Sequence, residues 1–80
     1  MAKEVSPLEK AIAAALKGAI AEKGTTAKDV AERLGVGSYP AFTQRLNGKV
    51  AMQLGEIVDI ATLLGIDWHE ILRRAEQSIQ

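Results

Sequence analysis

In the middle of the chain, Ser38-Tyr39-Pro40-Ala41-Phe42-Thr43-Gln44-Arg45-Leu46-Asn47 sets polar groups at helical spacing. Phe42 and Leu46, four apart, mark one apolar side. A step of about 100° per residue sends Pro40, Ala41, Thr43, Gln44 and Asn47 outward, with Gln44 pointing almost directly away from the apolar side. A glutamine amide offers a donor beside an acceptor, and a threonine offers a hydroxyl beside a methyl. Such groups recognise a surface. The parts of an enzyme are missing: the chain has no cysteine and a single histidine. His69 has no second His, no Cys and no carboxylate at ligand spacing, so neither a metal site nor an acid–base pair is expected. Gly35-Val36-Gly37 matches a fragment of a nucleotide loop, but it follows a helical pattern rather than a strand. The chain reads as a binding protein, not an enzyme, with no cofactor.

The outward face needs elements to hold it. Thr25-Thr26 offers an N-cap, with Asp29 three residues beyond Thr26. Val30, Ala31 and Leu34 then share one face, and Ala31 is small where a second helix must cross closely. Gly35 stops this helix, because glycine takes positive φ without a Cβ clash. Val36 plugs the turn, Gly37-Ser38 restart the chain, and Pro40 falls within the first turn of the next helix, where a missing N–H is harmless. Asn47-Gly48 closes it. Upstream, Ser6-Pro7-Leu8-Glu9 predicts a capped helix start after a short polar lead, Met1 to Val5. Leu8, Ile12, Leu16, Ala19 and Ile20 form its apolar stripe, Lys10, Lys17 and Ala13-Ala14 take the other side, and Lys23-Gly24 ends it. Ala11, Ala15 and Gly18 make a strip of small residues, suited to a close helix contact or simply part of an Ala-rich helix. Downstream, Gln53 with Glu56 is expected to cap a helix whose core face is Leu54, Ile57, Val58, Ala61 and Leu64. Asp67 with Glu70 is expected to open a last one, burying Trp68, Ile71, Leu72 and Ala75. No apolar alternation at period two occurs. The expectation is five helices and no strands.

On these residues the chain resembles the helix-turn-helix of the lambda-repressor-like family, which includes Cro and many phage immunity repressors. The matching positions are Val30-Ala31, Leu34-Gly35-Val36, Phe42-Thr43 and Leu46-Asn47-Gly48-Lys49, followed by Leu54, Ile57, Ala61 and Leu64-Gly65-Ile66. Together they span roughly residues 25–72. Ala27 stands where the family often has Gln, and the turn from Val36 to Phe42 is one residue longer than usual. The resemblance implies an all-α, five-helix domain over residues 1–80, with the motif at residues 26–48 formed by helices 2 and 3.

It also implies a partner, double-stranded DNA, with the second motif helix in the major groove. Gln44 would bond adenine N6 and N7, and Thr43 would offer a hydroxyl and a methyl to thymine. Ser38 and Tyr39 would touch bases or phosphate, and Pro40 would offer apolar surface to a thymine methyl. Phosphate contacts would come from Thr26, Lys28, Arg45, Asn47, Gly48 and Lys49. The competing reading makes Gln44 and Thr43 ordinary solvated residues, the cations scattered surface charge, and Tyr39 a core-edge aromatic.

Charge weighs against DNA at first sight. Ten basic and ten acidic residues leave a net charge of zero, whereas phosphate neutralisation usually asks for a basic domain. The distribution is uneven. Lys28, Arg33, Arg45 and Lys49 outnumber Asp29 and Glu32 in the motif, while Glu56, Asp59, Asp67, Glu70 and Glu76 outnumber Arg73 and Arg74 after it. At 48% hydrophobic and 25% charged, the composition is that of a small globular domain, burying roughly 60–65% of its unfolded surface. There is no 18-residue apolar run and no signal pattern, so no membrane association is expected, and the expected location is the cytoplasm, at the nucleoid of a bacterium or a phage-infected host. The expected function is a transcriptional regulator, a phage or bacterial repressor. The alternative is a small helical protein-interaction module, a partner-binding or antitoxin-like regulator that has lost DNA binding. A homodimer would use Trp68, Leu72 and Ile79 at the last helix. No ligand-sensing segment is recognisable, so no small-molecule ligand is expected.

Overall fold

Ser6 accepts a hydrogen bond from the Glu9 N–H at 3.1 Å, and the Glu9 carboxylate accepts one from the Ser6 N–H at 3.0 Å. This reciprocal cap, with Pro7 behind it, starts the first helix where the sequence predicts. The computed structural model describes residues 4–79. It contains α1 (Pro7–Glu22), α2 (Ala27–Leu34), α3 (Tyr39–Leu46), α4 (Leu54–Leu64) and α5 (Trp68–Ser78), with no strand among the described residues. Met1 to Lys3 of the predicted polar lead lie outside them.

All five helices feed one apolar core. Leu16, Phe42, Ile60 and Ile71 are its fully enclosed large side chains, with Val30 beside them. The pairing of α1 with α5 is the most extensive in the molecule, and α1 also contacts α3 and α4. The α2–α3 connection is short: Gly35 sits at φ 69°, and the Gly35 and Val36 N–H groups return to Glu32 and Ala31 carbonyls at 3.2 and 3.0 Å. That double return consumes the last carbonyls of α2 and turns the chain sharply. Ser38 then caps α3 by accepting the Ala41 N–H at 3.3 Å.

Several sequence expectations are corrected. Leu8 is exposed, because its position in the first turn of α1 lies beyond the edge of the core, while Ala13, assigned to the outer side, is buried. In α4 the buried set is Ile57, Ile60, Ala61 and Leu64; Leu54 is 56% exposed at the first helical position. Ile57, Ile60, Ala61 and Leu64 stand at i, i+3, i+4 and i+7, whereas Leu54 shares that face one turn beyond the core. Gln53 starts α4 without a side-chain cap bond. Its expected partner Glu56 is drawn to Arg45 instead. Asp67 caps α5 through the His69 N–H at 2.9 Å rather than through Glu70, whose carboxylate pairs with Arg73 and Arg74. That N–H, followed by the His69 ring, holds the Asp67 carboxyl below its ordinary pKa.

The small-residue strip of α1 serves the core only in part. Ala11 is buried and Ala15 half-buried, but a Cβ built on Gly18 would meet nothing within 4 Å. Gly18 therefore gives the helix no close approach and costs it backbone entropy. Gly18→Ala is expected to stabilise the protein by about 0.5–1 kcal/mol. Chemical denaturation at constant slope measures this, and an unchanged midpoint would mean that α1 is not helical through Gly18.

Candidate nucleic-acid interface

The outward side of α3 carries Pro40, Thr43, Gln44 and Asn47, spaced three and four apart, while Phe42 and Leu46 point into the core. Pro40, Gln44 and Asn47 are exposed, Thr43 and Ala41 are half-buried, and Tyr39 at the helix start is 43% exposed. Two of the sequence-named hydroxyls are already engaged. Thr43 donates to the Pro40 carbonyl at 2.8 Å, and Ser38 accepts the Ala41 N–H. The Thr43 O–H donor is thus used within the helix while its oxygen can still accept, and the Ser38 O–H has no acceptor among the described residues. The amide of Gln44 has no partner among the described residues.

Arg45 faces another way. Its Nε and one terminal nitrogen donate to the two carboxylate oxygens of Glu56 at 2.6 and 2.9 Å, and its guanidinium carbon lies 5.9 Å from the Phe42 ring centroid. The Glu56 hydrogen bonds raise its pKa above the ordinary value. This fork–fork pair ties α3 to the first turn of α4, with both side chains about three-quarters covered. The guanidinium acts as a strut between helices through Nε and one terminal nitrogen.

The remaining charges sort by residue type. Every arginine is paired: Arg33 with Asp29, Arg45 with Glu56, Arg73 with Glu70, and Arg74 with Glu70 and Glu22. Lys10, Lys17, Lys23, Lys28 and Lys49 form no ion pair among the described residues, and all five are exposed. Lys17 instead donates from Nζ to the Asn47 Oδ1 at 2.8 Å. Lys10 packs against Gly48, where a Cβ would lie 3.4 Å from the lysine Cγ. Gly48, buried and at φ 76°, is held there by that contact and by its turn. Lys10, Asn47, Gly48 and Lys49 line one shallow depression of about 690 Å³ together with Glu4 and Val5. Lys17 shares a second depression with Thr26 and Ala27, next to which Lys28 stands in the first turn of α2.

Four lysines thus surround the C-terminal end of α3 and the N-terminal end of α2. Lys28 and Lys49 are legible in the motif. Lys10 and Lys17 were placed by sequence only on the polar side of α1, and their seven-residue spacing, two turns on one helical face, is the signal that could have singled them out. Thr26 serves first as the α2 cap, accepting the Asp29 N–H at 3.1 Å.

The residues named for a dimer do not form an exposed apolar patch. Trp68 and Leu72 pack in part against the core, Trp68 stacking on the His69 ring at 3.9 Å, and Ile79 alone of the three is exposed. Among the described residues no group of three His, Cys, Asp or Glu side chains converges as a metal site would require, and no helix is long and apolar enough to cross a membrane. No protein-family model, curated protein or solved structure matches the chain.

Proposed function

We propose that the protein is a double-stranded-DNA-binding regulator in which α2 and α3 act as a helix-turn-helix and α3 enters the major groove. One observation carries the reading. The exposed face of α3 offers Gln44, Pro40, Thr43 and Tyr39 to a surface, and Lys10, Lys17 and Lys49, without acidic partners among the described residues, stand at its C-terminal end, with Lys28 in the first turn of α2. The net charge of zero does not oppose this. The arginines pair with acids within the fold, so the positive charge without an ion-pair partner among the described residues resides on the lysines. In this reading Lys10, Lys17, Lys28 and Lys49 contact phosphates and set the docking register, while Gln44 reads a base edge. Arg45 keeps α3 seated on α4 through Glu56. By occupying a promoter the protein blocks polymerase and represses. The proposal needs only one copy of the chain on DNA, and a dimer through α5 would rest on Ile79 and the uncovered parts of Trp68 and Leu72.

The exposed Val50 and Leu54, on the α3–α4 connection and the start of α4, favour a second reading in which this edge contacts another protein. A fluorescence-anisotropy titration against a pool of random duplexes at low salt separates the two. Saturable binding supports the regulator, and no binding up to high micromolar protein removes it and leaves the protein-contact reading.

A further inference from the structure

Phe42 and Leu46 anchor α3 in the core, but apolar packing is non-directional and does not by itself fix how a short helix is turned. The helix lies against α1 and α2, and its pairing with α4 is slight at most. Directional ties come from two side-chain bonds at its C-terminal end. On the α1 side Lys17 donates to Asn47 at 2.8 Å. On the α4 side Arg45 grips the Glu56 carboxylate at 2.6 and 2.9 Å. The chain between the two helices adds little stiffness: Val50, Ala51 and Met52 make no backbone–backbone hydrogen bond among the described residues. Arg45 adjoins Gln44, so what fixes Arg45 also fixes the turn of helix from which Gln44 projects. The fork suits that task. Two parallel charge-assisted bonds set direction as well as distance, and both side chains are about three-quarters covered.

We infer that Glu56 is a positioning residue for base recognition: from α4, it sets how well the protein discriminates between DNA sequences. The inference rests on the DNA-binding reading above and adds a determinant of specificity outside the helix-turn-helix. An amide reads a base edge through bonds that weaken steeply off their preferred angle, whereas a lysine is a point charge on a flexible stem. A small displacement of α3 therefore spoils base readout and leaves phosphate contacts in place. The sign of the effect separates positioning from simple electrostatics. Removing an acid near DNA strengthens binding to every duplex, while removing a positioning residue weakens the preferred one.

Affinities for a duplex enriched from a random pool and for an unselected duplex, at one low salt concentration, test it. The chains compared are the wild type, Glu56→Gln, Glu56→Asp and Asp59→Asn. Glutamine keeps the size of Glu56 but replaces one accepting oxygen by an N–H donor, and aspartate keeps the charge but falls one methylene short. Asp59, exposed on α4 and without an ion pair among the described residues, controls for the loss of a negative charge. Each Glu56 variant should lower the ratio of the two affinities about tenfold, the worth of one lost base contact, and Asp59→Asn should leave it unchanged. Partial unfolding scales both affinities by the same competent fraction and so does not move the ratio. A ratio unchanged in either Glu56 variant, or lowered as much by Asp59→Asn, would overturn the inference while the regulator reading stood. So would a uniform gain in affinity with a salt slope steeper by about one, which would mean that Glu56 only keeps Arg45 from phosphate. Wild-type binding without enrichment of any sequence would overturn it in the same way. Absence of binding at low salt would overturn the regulator reading itself, and this inference with it.

Discussion

Phe42→Ala is expected to cost about 3–5 kcal/mol, the largest loss of any single substitution on the reading helix. The ring is fully enclosed and stands where α3 meets the core. Its removal deletes apolar surface and leaves a cavity that five short helices close only partly. It also removes the ring under the Arg45 guanidinium. A chain of 80 residues has about 4–12 kcal/mol of stability in all. The variant should therefore be partly unfolded at room temperature, with a thermal midpoint lowered by about 4–8 °C for each kcal/mol lost. Phe42→Leu, which keeps most of the volume, should recover a large share of that loss. Thermal unfolding followed by circular dichroism measures both. A Phe42→Ala midpoint within a few degrees of wild type would mean that α3 does not depend on this contact.

The second large effect concerns salt. Each phosphate neutralised by a lysine contributes about −0.9 to the slope of log affinity against log salt. Four contacts, from Lys10, Lys17, Lys28 and Lys49, give a slope of about −3.6, or about a 150-fold loss of affinity between 50 and 200 mM salt. Replacing all four with glutamine should bring the slope close to zero. The variant should keep its fold, since all four side chains are exposed and the Lys17–Asn47 bond is a surface contact. Each single replacement should lower the slope by about one and weaken all duplexes alike. A quadruple variant that kept the wild-type slope would place the phosphate contacts elsewhere.

The two predictions differ in how far the sequence alone supports them. Phe42 and Leu46 lie four apart on one helix, and Ser6, Thr26, Gly35, Ser38 and Gly65 mark helix ends through bonds that span a turn or less. Local signals of this kind act within a few residues, so the five helices and the direction of the α3 face were readable in advance. The fate of Arg45 was not. Its partner Glu56 is eleven residues away, across a loop whose path depends on how α4 packs. The sequence put Glu56 in a cap and Arg45 on phosphate, and the structure joins them instead. The lysines of α1 show the same limit: Lys17 meets Asn47 across thirty residues, a contact made only when α1 lies beside α3. Leu54 shows a subtler one. Its periodicity fits the core face of α4, but the core ends before the first turn of that helix. Periodicity indicates which side of a helix is apolar, whereas burial also depends on where the neighbouring helices stop.

The central claim is that α3 and its rim of lysines meet duplex DNA. Chemical-shift mapping of the ¹⁵N-labelled protein, titrated with a short duplex at low salt, addresses it directly. The account predicts shifts for the amides of α3 and the following residues through Lys49, for those near Thr26 and Lys28, and for Lys10 and Lys17 on α1, with α5 unmoved. Shifts confined to α5, to Val50 and Leu54, or to no residue at all would contradict it.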